Sequence, residues 1–449
     1  MKEYLHNFQQ LIIICLLWLL VGIMGGSAVS IGVISVMLLL MYSKQMHLEI
    51  LIGFFFILTL SDSRLHQLSF AASVKNIYIL FVALISFKEM RSMDYQIPIF
   101  KHFVWFFLVA IICIIYSPTV SLSMQKTLSY FLLLAFIPNY FLFVYSKYGA
   151  QLFKAIIFLG SLILIMGLLY SVLNSDIVNL AGRYRGLLGN PNGLGLYSYL
   201  FIILFVVINE HHPAVFSRNE RIFIYAVGLI SLIKCGARTS LVSILMFFFF
   251  KRFYKISPIL GFLVFLVTAV VYQLISDNIV GIVSSIGLAD ELRADTLENG
   301  SGRLIAWQFA WQKIQENFYF GRGFNFTEYI FRLNYEYLSK LGHEGMAHNS
   351  FLTFWLDTGL IGLICYLFAL ISTFLRAAKS SKLAIPFLYT VLFSNYYESW
   401  LTASLNPFTI QFLFILSIIF LPAVDELIEG ENKEADSFKT SNISLKEVN

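Results

Sequence analysis

Apolar runs alternate with short polar breaks along almost the whole chain, at approximately 9–25, 29–42, 48–60, 74–87, 102–116, 127–145, 153–173, 193–209, 222–235, 239–250, 257–275, 349–373, 384–398 and 405–423. A helix needs roughly 20 mostly apolar residues to cross a bilayer, whereas barrel strands show ten-residue stretches of alternating hydrophobicity. The pattern predicts helices. Because several runs are short, the expectation is twelve to fourteen spans. One break is different in kind: residues 276–347 form a long connection with nine acids, six bases and an amphipathic stretch around Arg303–Gln315. Connections of this length inside a compact protein usually act as lids or binding surfaces.

Composition agrees with the pattern. Of 449 residues, 58% are hydrophobic and only 13% charged, with a mean hydropathy of +0.77. That leaves too few polar side chains to wrap a water-soluble core of this size. The fold class expected is an all-α polytopic integral membrane protein. Its parts are N-terminal spans to residue 275, the connection 276–347, C-terminal spans over 348–423 and a tail over 424–449. The run Leu11–Gly25 behind Lys2 is followed at once by similar segments, which fits an uncleaved first span. From Asp425 onward the tail carries seven acids and three bases and few large apolar residues, the composition of a disordered segment.

Charge orients the chain. With the N-terminus in the cytoplasm, fourteen basic residues fall in short loops on that side: Lys44, Lys88, Arg91, Lys101, Lys147, Lys154, Arg218, Arg221, Lys251, Arg252, Lys255, Arg376, Lys379 and Lys382. Seven fall in the opposite short loops, namely Arg64, Lys75, Lys126, Arg183, Arg185, Lys234 and Arg238. The excess marks the cytoplasmic side and puts both termini there. Cys15, Cys113, Cys235 and Cys365 are dispersed in or near apolar runs, without the paired spacing of a zinc or redox site. No phosphate-binding loop, dinucleotide fingerprint or HExxH is present, which weighs against an ATP-driven pump, a nicotinamide enzyme or a zinc protease. No internal repeat suggests a transporter of inverted halves.

The basic residues on the disfavoured side cluster with glycine, asparagine and histidine. Gly182-Arg183-Tyr184-Arg185-Gly186 runs into Gly189-Asn190-Pro191-Asn192-Gly193, where the turn lets backbone approach a ligand and two arginines offer forked donors to phosphate oxygens. The alternative is a polar turn whose arginines snorkel to the interface. Lys234-Cys235-Gly236-Ala237-Arg238-Thr239-Ser240 interrupts two apolar runs, with small residues suited to tight helix packing. Arg238 there calls for either an anionic ligand or an acid such as Asp357 or Glu398. His348-Asn349-Ser350 stands where the long connection meets a span, and His348 can move a proton near neutral pH or serve as an interface anchor. His211, His212 and His343 have no comparable surroundings in sequence. Arg303 with Trp307 can add a cation or a stacking face for a sugar. Asp62-Ser63-Arg64, Glu398 and Asn406-Pro407 read as caps or local ion pairs.

Taken in order, these clusters resemble the superfamily of bacterial O-antigen ligases and polymerases. The residues that carry the resemblance are Arg185 with Gly189-Asn190-Pro191-Asn192-Gly193, then Gly236-Ala237-Arg238-Thr239-Ser240. Ser301-Gly302-Arg303 ahead of Trp307, Gly321-Arg322-Gly323 and His348-Asn349-Ser350-Phe351, followed by Gly359-Leu360-Ile361-Gly362, complete it over roughly 180–375. The resemblance implies a glycan donor on undecaprenyl diphosphate, an acceptor hydroxyl on a lipid A core or another glycan, and transfer on the periplasmic face of the inner membrane without a metal or other cofactor. It assigns Arg185 and Arg238 to the diphosphate, with Arg183 and Arg303 as helpers and His348 as general base or further diphosphate partner. Asn190, Asn192, Lys234 and Asn349 complete the expected substrate-binding set. Two other activities fit the same sequence: polymerisation of lipid-linked repeats, and translocation of a lipid-linked glycan without bond breakage.

Overall fold

A computed structural model of the chain describes residues 8–180, 182–253, 260–268, 270–271, 303–343 and 345–424. Lys2, Lys255, residues 276–302 with Ser301 and Gly302, and the tail from Asp425 lie outside the described residues. Nearly all regular structure is helical. In chain order the long helices are α1 (Gln9–Ser43), α2 (His47–Asp62), α3 (Phe70–Glu89), α4 (Ile99–Ile114), α5 (Val120–Tyr148), α6 (Ala150–Leu173), α7 (Pro191–His211), α8 (Arg218–Cys235) and α9 (Arg238–Phe253). After a helical stretch at 260–268 come α10 (Arg303–Glu316), α11 (Phe326–Leu333), α12 (Ser350–Ser380), α13 (Ala384–Tyr397) and α14 (Pro407–Val424). Among the described residues, seven helices are long and apolar enough to cross a membrane: α1, α3 with its flanking turns, α5, α6, α7, α12 and α14. The protein is thus an all-α polytopic membrane protein.

Two helices are broken at glycine and fold back. In α1 the break is Gly26 (φ 66°), and Trp18 Nε1 lies 3.3 Å from Met37 Sδ. Nineteen residues of unbroken helix would separate these side chains by roughly 28 Å. The two arms of α1 therefore form a hairpin, matching the separate runs at 9–25 and 29–42. In α12 the break is Gly359 (φ 74°, ψ 178°), and Phe354 packs on Tyr366 with ring centroids 3.9 Å apart and the rings tilted by 30°. The run read as one span at 349–373 is instead a nine-residue arm, Ser350–Thr358, followed by a long arm from Leu360.

The backbone groups freed by this break are taken up by the segment 318–323. Leu360 N donates to Phe318 O at 2.9 Å, Ile361 N to Tyr319 O at 3.3 Å, and Gly323 N to Asp357 O at 2.7 Å. A buried polar backbone needs such partners. Asp357 fixes the other flank: its carboxylate receives Thr327 N and Thr327 Oγ1, both at 2.8 Å, and Asn325 N at 3.3 Å. Gly321-Arg322-Gly323 is thereby wedged against the short arm.

Helix α7 is central, with 94% of its apolar window buried, against 17% for the peripheral α1. It begins where the sequence says it should. Asn190 caps it by accepting from Gly193 N at 2.8 Å, and Pro191 takes the first-turn position where its missing N–H costs nothing. Its start is pressed against α9, since a Cβ on Gly195 would lie 2.4 Å from Ala237 Cβ and 2.7 Å from Ser240 Oγ. Ahead of it, a two-stranded antiparallel hairpin pairs β1 (Asn179–Leu180) with β2 (Arg183–Tyr184), in the register Asn179 to Tyr184 and Leu180 to Arg183.

Candidate active site

Three segments distant in sequence converge on a carboxylate carried by a fourth. Glu398 follows the last turn of α13 and is buried. Its Oε1 receives Arg303 Nη2 at 2.9 Å and Asn192 Nδ2 at 3.0 Å, and its Oε2 lies 3.4 Å from His348 Nδ1. The backbone is tied in as well, because Glu398 O accepts from Ser350 Oγ at 3.0 Å. Asn192 extends the network by accepting from Arg183 Nη2 at 3.2 Å.

Local structure explains how each member arrives. Arg303 opens α10 and lies 5.8 Å over the Tyr397 ring. Trp307, one turn on, donates to Ala347 O at 2.9 Å and packs edge-on against Tyr396, so it holds the His348 loop to α10. His348 adopts φ 46°, a left-handed conformation that histidine tolerates better than most residues. Asn349 then starts α12 by accepting from Phe351 N and Leu352 N at 2.9 and 3.0 Å. Its role here is a helix cap.

The remaining sequence-singled residues sit around this centre. Arg183 Nη2 also donates to Cys235 O and Gly236 O, the carbonyls that end α8, at 3.1 and 3.2 Å. Arg238 begins α9 just beyond that turn. Arg185 diverges from Arg183: it folds onto its own loop, donating to Ile177 O at 3.1 Å and Gly189 O at 3.4 Å. Among the described residues its buried Nε has no hydrogen-bond partner. Burial and the neighbouring Arg64 charge lower the Arg185 pKa from its ordinary value. Lys234 reaches Ser171 Oγ at 2.6 Å and lies over the Tyr184 ring. The structure thus brings Arg183, Asn192, Arg303 and His348 into one network, leaves Arg238 beside it, and directs Arg185, Lys234, Asn190 and Asn349 to other contacts.

Glu398 and His343 are the residues that sequence reading undervalued. Glu398 is the sole charged residue between Lys382 and Asp425, and an isolated acid within apolar helices is costly without a partner. That isolation was the available signal. His343 is buried, with its ring 6.2 Å from that of His348 and nearly perpendicular. Burial, and then the neighbouring His348, lower its pKa from the ordinary histidine value. Gly345 lies between the two rings: a Cβ there would come within 3.1 Å of His348 Nε2. Glycine keeps that nitrogen uncrowded.

Burial by itself would raise the Glu398 pKa. The His348 contact, the Arg303 charge and the Asn192 amide outweigh it and hold the carboxyl below its ordinary value. A group depressed on folding contributes stability that is complete above its unfolded pKa and lost as pH falls through its folded pKa. Wild-type protein should therefore melt above Glu398→Gln protein near neutral pH, with the margin closing in acid below about pH 4. Thermal melts of both proteins across pH test this. A margin that grows in acid would show that the carboxylate charge is not what stabilises the network.

At this site a multi-pass helical bundle joins a buried carboxylate to an imidazole, a guanidinium group and an amide. Residues 222–367 match the family model described as O-antigen ligase, a segment that includes Arg238, Arg303 and His348. Over that third of the chain the protein is similar to the O-antigen ligase family. A search of curated proteins returns no match.

Proposed function

We propose that the protein is a ligase-type glycosyltransferase that moves a glycan from undecaprenyl diphosphate to an acceptor hydroxyl, on a lipid A core or another glycan. The observation that carries this reading is the single carboxylate shared by His348 and Arg303. With Glu398 on Nδ1, the imidazole is held in the tautomer whose Nε2 lone pair is available to a substrate, the arrangement that orients histidine bases in other enzymes. The 3.4 Å separation is long, and such contacts commonly tighten when substrate binds.

The steps then follow from charge. The acceptor hydroxyl loses its proton to His348 Nε2 as its oxygen bonds to the anomeric carbon. The bond from that carbon to the diphosphate oxygen breaks, and its electron pair leaves with the diphosphate. Preorganised guanidinium groups stabilise the charge that develops there. Arg303 and Arg183 stand in the network, Arg238 borders it, and the buried Nε of Arg185 offers a donor at the adjoining loop. In this reading guanidinium charge takes the part that a metal plays in many sugar transfers. The orientation from loop charge puts the site on the periplasmic face of the inner membrane, where the lipid-linked donor is presented.

His348→Ala should reduce transfer by about 10²- to 10⁴-fold, the range typical of losing a general base, with retention of the diphosphate lipid little changed. Purified protein with lipid-linked donor and each acceptor in turn provides the assay. Full turnover by the variant would end the base assignment. The same assay separates ligase from polymerase, because a ladder of products grown without a lipid A core would identify polymerisation. A transported donor with no new glycosidic bond would instead identify a translocator.

A further inference from the structure

The transfer site makes no use of Gly321-Arg322-Gly323, yet Gly321 and Arg322, with Asn317 and Phe320, form one wall of a cavity of about 490 Å³. The opposite wall is the connection after α4, including Ile115, Tyr116 and Ser117. Both walls lie at the end of the bundle that carries His348, since Arg322 N reaches Leu356 O on the short arm of α12.

Its chemistry is one-sided. Arg322 Nε donates to Asn317 Oδ1 at 3.2 Å and its guanidinium lies 5.6 Å over the Phe326 ring, which together fix it at the cavity wall. Among the described residues no carboxylate pairs with Arg322, and none lines the cavity. The nearby Glu316 is engaged by Lys313 at 2.6 Å. Asn317 Nδ2 is buried with no hydrogen-bond partner among the described residues, so a second donor awaits an acceptor. Ser117 Oγ already accepts from Thr119 N at 3.2 Å, and its proton remains available as a third. A cation and two neutral donors without an acid suit an oxyanion, and a planar guanidinium suits phosphate best.

The rim says where that phosphate comes from. Ile115 is 77% exposed and Tyr116 62% exposed, and Phe320 borders the cavity beside Arg322. Exposed apolar and aromatic side chains at the end of membrane helices mark the level where acyl chains give way to headgroups. We infer that this cavity binds the phosphate of a bilayer lipid, with Arg322, Asn317 and Ser117 on the phosphate and Ile115 and Tyr116 against its chain. The inference does not rest on the transfer reading, because its test reads binding without turnover.

Native mass spectrometry of the full chain from nanodiscs supplies the test, with phosphatidylglycerol, phosphatidylcholine and a monophosphorylated glycolipid offered separately. Wild-type protein should retain the two anionic lipids, and Arg322→Gln should retain them about tenfold less, the loss of one charge-assisted contact. Asn317→Leu, which keeps the cation, should lose about threefold and gives a second reading should the arginine variant fold poorly. A preference for the glycolipid identifies a substrate-class lipid, and equal retention of both anionic lipids identifies bulk bilayer lipid. Equal retention of phosphatidylcholine by wild-type protein, unchanged anionic retention in folded Arg322→Gln, or displacement of the lipids by inorganic phosphate alone would overturn the inference.

Discussion

Glu398→Gln should lower glycan transfer by about a hundredfold or more, because replacing the acid that orients a catalytic imidazole costs catalysis even when the geometry survives. Glutamine keeps the size of the side chain but removes the charge that Arg303 and His348 share. It also puts an amide where two donors already converge on Oε1. The defect should fall on kcat more than on KM, since on the proposed reading the carboxylate aligns the base and is not itself a glycan contact. It should also change the pH profile of kcat/KM, which a purely structural role would not do. Glu398→Asp, retaining charge on a shorter stem, should recover part of the rate. Equal activity of wild-type and Glu398→Gln protein over the whole pH range would dismiss Glu398 as a positioning residue.

Gly359→Val should prevent stable folding. A Cβ at this position would lie 2.2 Å from Tyr319 O and 2.5 Å from Phe320 Cα, and φ is +74°. The obstacles are backbone atoms, held in place by the bonds from Leu360 and Ile361, so no rotamer change relieves the contact. A loss of about 3 kcal/mol or more is expected from clash and strain together. Gly26→Ala is the informative contrast. Its φ is +66°, but nothing lies within 4 Å of the added carbon, so only the conformational penalty of about 1–3 kcal/mol applies, without the clash. Size-exclusion profiles and melting temperatures of detergent-solubilised protein measure both. A monodisperse Gly359→Val protein melting with the wild type would show that the fold-back of α12 is not required.

The spans were legible because hydropathy reports helix length directly, and the hairpin of α1 was legible because Gly25-Gly26-Ser27 interrupts it with small residues. Gly359 was not. It lies within a continuous apolar run, glycine is ordinary in membrane helices, and the segment that completes the break is supplied from residues 318–323. At the site, Arg183, Asn192, Arg303 and His348 could be picked out because each breaks a local rule of charge placement or composition. What joins them could not. Glu398 is separated from Arg303 by 95 positions and from Asn192 by 206, and no spacing rule links them. His343 was set aside for a related reason, since only the bend through Gly345 brings it to His348. The expectation that Arg183 and Arg185 act as a pair came from their i, i+2 spacing. It did not foresee that the strand ends at Tyr184 and turns the second arginine back onto its own loop.

The short arm of α12 has a metric consequence. It is capped at one end by Asn349, next to His348, and clamped at the other by Asp357, next to Arg322 N. Nine helical residues at 1.5 Å each make a rod of about 13 Å that neither stretches nor compresses. The phosphate proposed at Arg322 and the imidazole of His348 are therefore held one short helix apart, a spacing set by the arm and not by the lipid.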